Sequence, residues 1–166
     1  MYSKEEALGF ERKYGKKLKI GSIVWQYYKL GNAGTVLLFL TGGLRRARFG
    51  YAILEKLSAE HTVLALDYPP VESIGDFIDA IDGLLASENI KKVILIGQSY
   101  GGIIAQAYML YRPEKLSRLI LSNSGPLQFS FVSRFELNLA LKVVDILSEK
   151  NAKKLFCKMI LLVFPK

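Results

Sequence analysis

The sequence predicts an α/β protein: a mostly parallel sheet with flanking helices, entered through an antiparallel amino-terminal hairpin. Three observations predict it. Short, continuously apolar runs recur at 35–40, 62–66, 92–96 and 116–121, the pattern of strands covered on both faces. Amphipathic segments at 48–58, 74–85 and 101–111 lie between them, so strand and helix alternate as in a sheet built from crossover units. Ahead of these, Ile23, Trp25 and Tyr27 alternate with Val24, Gln26 and Tyr28, the two-residue period of an antiparallel strand.

Each element has its own signal. Residues 1–16 are polar and read as a short helix or a loosely held leader. The stretches 17–20 and 22–30 read as two strands joined at Gly21-Ser22, and Gly31-Asn32-Ala33-Gly34 supplies the next turn. The run 35–40 ends in Thr41-Gly42-Gly43. Phe49, Ala52, Ile53 and Leu57 then recur at helical spacing, and the strand at 62–66 closes on Asp67-Tyr68-Pro69-Pro70. In the next helix Ile74, Phe77, Ile78, Ile81, Leu84 and Leu85 form one stripe, opposite Asp76, Asp79 and Asp82. Ser73 with Asp76 resembles a capping box. With no histidine beside them, the three aspartates read as a solvated face and not as a metal site. In the helix over 101–111, Ile104, Ala107, Tyr108 and Tyr111 share a side, and Arg112-Pro113 ends it. Beyond Pro126 the period changes: Val132, Phe135, Leu139, Val143 and Ile146 form one helical stripe, and Ala152, Leu155, Phe156, Met159 and Val163 a second. The division expected is a core over 1–126 and a helical segment over 127–166.

Composition narrows the function. Half of the 166 residues are apolar, enough for one sizeable core. The formal charge of +8 is concentrated at the ends: residues 31–113 carry seven basic against eight acidic side chains. No zinc spacing, aromatic RNA-binding signature or basic heptad accompanies it, so nucleic-acid binding is not expected. No apolar segment is long enough to span a bilayer, so no stable membrane insertion is expected. The single cysteine, Cys157, forms no internal disulfide and fits a reducing, cytoplasmic address.

The chemistry-bearing stretch is Ile94-Leu95-Ile96-Gly97-Gln98-Ser99-Tyr100-Gly101-Gly102. A strand signal stops at Gly-x-Ser-x-Gly and a helix signal follows, which is the strand–turn–helix context of a nucleophile elbow. Gly97 and Gly101 keep the positions two before and two after Ser99 small, so strand and helix can pass closely.

With that ordering, the chain resembles the amino-terminal part of an α/β-hydrolase-fold protein, of the group of esterases, lipases and peptidases. The resemblance rests on Gly97-Gln98-Ser99-Tyr100-Gly101-Gly102, the Thr41-Gly42-Gly43 turn and Asp67-Tyr68-Pro69, and runs over about residues 17–126. It implies that Ser99 is the nucleophile and that the backbone N–H groups of Tyr100 and Gly43 stabilise an oxyanion. It also implies a small-molecule ester or amide substrate; with no phosphate-cradling loop, metal cluster or nucleotide fingerprint in the sequence, no cofactor or metal is expected. Two departures accompany it. Thr41-Gly42 stands where many members have His-Gly. In this fold the triad runs serine, acid, histidine, yet no histidine follows Ser99; the one present, His61, precedes the strand at 62–66. Asp145 falls in a cap helix, and Asn123 occupies a position where some relatives place an acid.

The expectation is therefore a sheet that lacks its last strands, and with them the acid and histidine, so that the chain as given is weakly active or inactive. The alternative is a non-catalytic binding or interaction protein of the same fold. An uncovered sheet edge would favour self-association.

Overall fold

The computed structural model describes residues 3–127, beginning with a helix, α1 (Lys4–Tyr14), whose ends are written into the polar start of the sequence. Ser3 caps it by accepting from the Glu6 N–H, Glu5 and Glu6 lie in the first turn, and Arg12 and Lys13 lie in the last, all favourable to the helix dipole. It buries Ala7 and Phe10.

Strands β1 (Gly15–Ile20) and β2 (Ile23–Leu30) pair antiparallel with Ile20 opposite Ile23. The two-residue loop between them needs a positive φ, which Gly21 supplies at 58°. The first strand starts two residues before the expected Lys17. Then follow β3 (Val36–Leu40), a 3₁₀ turn (Ala47–Gly50) leading into α2 (Tyr51–Leu57), β4 (Thr62–Leu66), α3 (Ile74–Ser87), β5 (Val93–Gln98), α4 (Tyr100–Tyr111) and β6 (Leu116–Ser122). The sheet order is β1-β2-β4-β3-β5-β6; β2 is antiparallel to β4, and the pairs β4–β3, β3–β5 and β5–β6 are parallel.

The apolar runs are continuous because both sheet faces are covered. Trp25, Leu38, Leu40, Leu64, Leu66, Val93 and Leu95 face α3 and α4, where Phe77, Ile81, Leu84 and Tyr108 meet them. Tyr28, Leu30, Leu37, Phe39, Val63 and Ala65 pack on the other side with Phe10 of α1 and Leu54 of α2. Burying each such leucine contributes about 2 kcal/mol by transfer alone. The expected capping box is present: the Ser73 hydroxyl accepts from the Asp76 N–H, and Asp76 accepts from the Ser73 N–H at 2.8 Å.

Four expectations change. In α2 the residue turned to the core is Leu54, with Ala47 in the turn before it; Phe49 and Ile53 are partly exposed and line a pocket instead. Tyr111 of α4 and Ile74 of α3 are exposed rather than packed in their stripes. Asp82 is not on a solvated face, because Tyr108 Oη of α4 (2.7 Å) and Nε of Arg112, just after that helix (2.7 Å), both donate to it. Strand β6 turns Leu116 and Leu119 inward but exposes Ile120 and Leu121; among the described residues it pairs on one side only. The helical cap expected over 127–166, with Asp145 and Cys157, lies outside the described residues beyond Leu127. No described helix is long and apolar enough to cross a membrane.

Candidate active site

Ser99 stands between the last residue of β5 and the first of α4, with φ 50° and ψ −118°. A non-glycine residue in this region is strained by about 1–3 kcal/mol, and its surroundings must hold it there. They do so at both ends. The Ser99 N–H donates to the Ser122 carbonyl at the end of β6 (2.9 Å), and the Ser99 carbonyl accepts from the Gly102 N–H (2.9 Å).

The glycines make room for this turn. A methyl group at Gly97 would lie 2.6 Å from the Gly102 Cα and 2.8 Å from the Ala105 Cβ, so β5 and α4 pass in direct contact. One at Gly101 would lie 2.2 Å from the Leu40 oxygen and 2.4 Å from the Thr41 oxygen, so α4 starts directly on the end of β3. Both expected elbow glycines are thus required by space. A third, Gly102, went unassigned in the sequence: a methyl there would meet the Ser124 hydroxyl at 2.3 Å.

Because β3 and β5 are neighbours with Leu40 opposite Gly97, the turn after β3 lies against Ser99. The Ser99 Cβ is 3.5 Å from the position a Gly42 side chain would take. The turn closes on itself where Arg45, at φ 60°, donates its N–H to the Gly42 carbonyl (3.0 Å). Its anchor is the end of β4. The Tyr68 hydroxyl donates to the Thr41 carbonyl (2.8 Å), and the Tyr68 N–H donates to the Arg45 carbonyl (3.0 Å). Asp67, also buried, accepts from the Ala47 N–H (2.6 Å), from Arg46 Nη1 (3.2 Å) and from Tyr28 Oη (3.3 Å).

Burial pushes the Asp67 carboxyl above its ordinary range, against the opposing pull of the Ala47 N–H and Arg46. Burial, with the neighbouring Tyr100 and Asp67, pushes the Tyr68 hydroxyl far up, so it stays protonated and able to donate. The sequence offered Asp67-Tyr68-Pro69 as a strand end and as part of the family resemblance, with no role for either side chain. An aspartate and a tyrosine directly after the apolar run 63–66 were the available signal.

The turn, Ser99 and the first turn of α2 border a pocket of about 490 Å³. Phe39, Ile96, Phe49, Ile53 and Leu44 make its walls apolar, and Ser99, Thr41 and Ser122 are its side-chain hydroxyls. The Tyr100 N–H belongs to the first turn of α4, where no intrahelical acceptor exists. Gly43 lines the same pocket and has open space around its Cα.

His61 is not part of this arrangement. It precedes Thr62, which pairs with Val36 at the start of β3, whereas Ser99 lies past the other end of the same ladder. Seven residues of extended chain separate the two levels, roughly 23 Å. Its Nδ1 is buried without a hydrogen-bond partner. Asn123 follows β6 directly with φ 49° and presents an amide, not a carboxylate. No group of three metal-ligating side chains occurs among the described residues.

Comparison with known proteins agrees with this fold. The alpha/beta hydrolase fold family matches residues 35–154. An uncharacterized hydrolase, YugF, of Bacillus subtilis is 25% identical over 121 residues, covering 66% of this chain and 44% of the relative. A pimeloyl-[acyl-carrier protein] methyl ester esterase of Salmonella heidelberg is 28% identical over 111 residues, 64% of this chain and 43% of the esterase. Among solved structures, the meta-cleavage product hydrolase CumD of Pseudomonas fluorescens IP01 is similar with a TM-score of 0.60 at 23% identity, over 72% of this chain and 48% of that one. The chain thus spans less than half the length of these relatives. With the family matched over most of its length and the sheet, turn and pocket arranged as described, the chain belongs to the alpha/beta hydrolase fold family.

Proposed function

We propose that Ser99 is the nucleophile of a hydrolase acting on a carboxylic ester or amide of a small molecule through an acyl-enzyme. The observation that carries this reading is the strained φ of Ser99 at the junction of β5 and α4, facing the glycine turn across an apolar pocket. In the reaction the Ser99 oxygen adds to the carbonyl carbon and loses its proton. The carbonyl oxygen becomes an oxyanion held by the N–H groups of Tyr100 and Gly43, and collapse expels the alcohol or amine. Water then repeats the addition and frees the acid. Donors fixed in place need little reorganisation, and each is worth on the order of 3 kcal/mol in the transition state. The walls of Phe39, Phe49, Ile53 and Ile96 fit a short apolar acyl chain. No cofactor, metal or nucleic acid enters this reading, and a cytoplasmic setting is part of it.

The proton from Ser99 needs a base, and the only histidine of the 166 residues is at the far end of the sheet. In a serine hydrolase, loss of the histidine costs on the order of 10⁶ in turnover. We therefore expect weak turnover from this chain. A fluorophosphonate at pH 9, followed by intact-mass measurement, tests the nucleophile: an adduct mapped to Ser99 and lost in Ser99→Ala is expected, and a folded chain without one would overturn the proposal. Turnover of a p-nitrophenyl ester should rise steadily with pH and show no break near pH 7, since hydroxide replaces the base.

A second reading follows from the same place of His61: the chain binds an apolar ligand in the pocket without converting it. Binding of a p-nitrophenyl ester with no Ser99 adduct would favour it. Self-association along β6 belongs to either reading, and gel filtration over a dilution series reads it.

A further inference from the structure

We infer that Tyr68 is a positioning residue that ties the two halves of the oxyanion site together. The inference rests on the reading of Ser99 as nucleophile and deepens it. One donor is offered by the turn after β3 and the other by the start of α4, and where these segments touch, at Gly101 against Leu40 and Thr41, the contact is backbone packing with no side chain between them. Tyr68 touches both. Its hydroxyl holds the Thr41 carbonyl at 2.8 Å, its own N–H holds the Arg45 carbonyl at 3.0 Å, and so both ends of the turn carrying Gly42, Gly43 and Leu44 are fixed to one residue. Its ring meets the Tyr100 ring edge-on, with centroids 6.2 Å apart, and Tyr100 is the residue whose N–H forms the other donor.

The fit is tight. Tyr68 is 2% exposed and its ring also stacks edge-on against Phe77 of α3 (5.3 Å, 90°), so it cannot swing away from Thr41. The Thr41 carbonyl is enclosed between the Tyr68 hydroxyl and the Cα of Gly101, which leaves its peptide plane one orientation. A carbonyl pinned in this way fixes the direction of the peptides that follow it, and a donor displaced by 1 Å loses much of its effect on a developing charge. Asp67, through the Ala47 N–H and Arg46, holds the far side of the loop, so without the Tyr68 hydroxyl the loop stays attached but its first peptides are freer.

Tyr68→Phe in the full chain is the test, since it keeps the ring and the N–H and removes only the hydroxyl. Fluorophosphonate forms a bond from the Ser99 oxygen to phosphorus, fluoride leaves and the serine proton passes to solvent. The dependence of the rate on probe concentration separates binding from this step. The expected result is a maximal rate about tenfold lower with the half-saturating concentration close to wild type, and a thermal midpoint a few degrees lower because the buried Thr41 carbonyl loses its donor. In ¹⁵N-glycine-labelled protein the Gly42 and Gly43 amides should shift and exchange faster, while Gly9 and Gly21 stay unchanged; Gly43→Ala identifies its own signal. An unchanged maximal rate with an unchanged Gly43 amide overturns the inference. So does a rate loss matched by faster exchange throughout, which would mean general loosening. Absence of a wild-type adduct tells against Ser99, and the glycine amides then decide on Tyr68 alone.

Discussion

Gly101→Ala is the sharpest probe of the packing that brings the two turns together. The added methyl would sit 2.2 Å from the Leu40 oxygen, 2.4 Å from the Thr41 oxygen and 2.6 Å from the Leu40 carbonyl carbon. A relaxed carbon–oxygen contact is about 3.3 Å, so roughly 1 Å of separation has to open. Strand β3 cannot retreat, because it is paired with β4 on one side and β5 on the other through Leu40 itself. The movement falls on the start of α4, which carries Tyr100 and the bond from the Gly102 N–H to the Ser99 carbonyl. Overpacking against fixed backbone belongs at the upper end of its usual cost, about 3 kcal/mol. For a chain of this length that lowers Tm by about 9 °C. Thermal melting by circular dichroism reads it, and the rate of Ser99 phosphonylation should fall with it. Gly43→Ala is the matched control for stability: nothing lies within 4 Å of that methyl, so the melting midpoint should stay at the wild-type value. A Gly101→Ala protein as stable as wild type, or a Gly43→Ala protein equally damaged, would refute the reasoning.

Three further outcomes are expected. Gly9 lies inside α1 with open space around it, so Gly9→Ala should stabilise by about 1 kcal/mol, visible as a higher denaturation midpoint. Glu88 accepts from Lys29 Nζ (2.6 Å), Tyr27 Oη (2.7 Å) and Lys16 Nζ (3.4 Å); burial pushes its carboxyl up, but these partners outweigh it and hold the carboxyl below its ordinary range. Its contribution is therefore full above the unfolded-state pKa and is lost as pH falls through the lower folded-state value. Glu88→Gln should lower Tm at pH 7, with the difference from wild type closing below about pH 4. His61→Ala should leave Ser99 phosphonylation within about twofold of wild type, given the roughly 23 Å between them; loss of the adduct would place a base where none is expected.

The parts of the fold that were legible in the sequence are those with a local cause. Apolar runs mark β3, β4 and β5 because both sheet faces are covered, and Gly97 and Gly101 stand out because they interrupt two periodic segments at fixed offsets from Ser99. What was not legible depends on partners far along the chain. Asp82 looks like a solvated charge until Tyr108 and Arg112, 26 and 30 residues later, are brought to it. Phe49 and Ile53 have the hydropathy of core residues, but hydropathy does not distinguish a core from the wall of a pocket. The bond from Tyr68 to Thr41 spans 27 residues between two loops, where no periodicity exists to reveal it.

On the proposal that Ser99 is the nucleophile, the sheet also decides from which edge its base has to come. Strands β3, β4, β5 and β6 are parallel, so the turns after all of them open on one edge, and segments around Thr41, Asp67, Ser99 and Ser122 converge there. His61 opens on the other edge, and no side-chain rotation crosses the length of a strand. If the nucleophile and its donors are built and only the base is absent, a base from solution should substitute for it. Imidazole added to the full chain should raise the rate of p-nitrophenyl ester hydrolysis in proportion to its neutral fraction. Once imidazole's own nucleophilic hydrolysis of the ester, measured without protein, is subtracted, the increase should vanish in Ser99→Ala, and it should be smaller in Tyr68→Phe, where the base is restored but the donors are less well held. Equal acceleration with Ser99→Ala would mean that imidazole acts on the ester without Ser99, and the pocket around Ser99 would then be a place for binding rather than reaction.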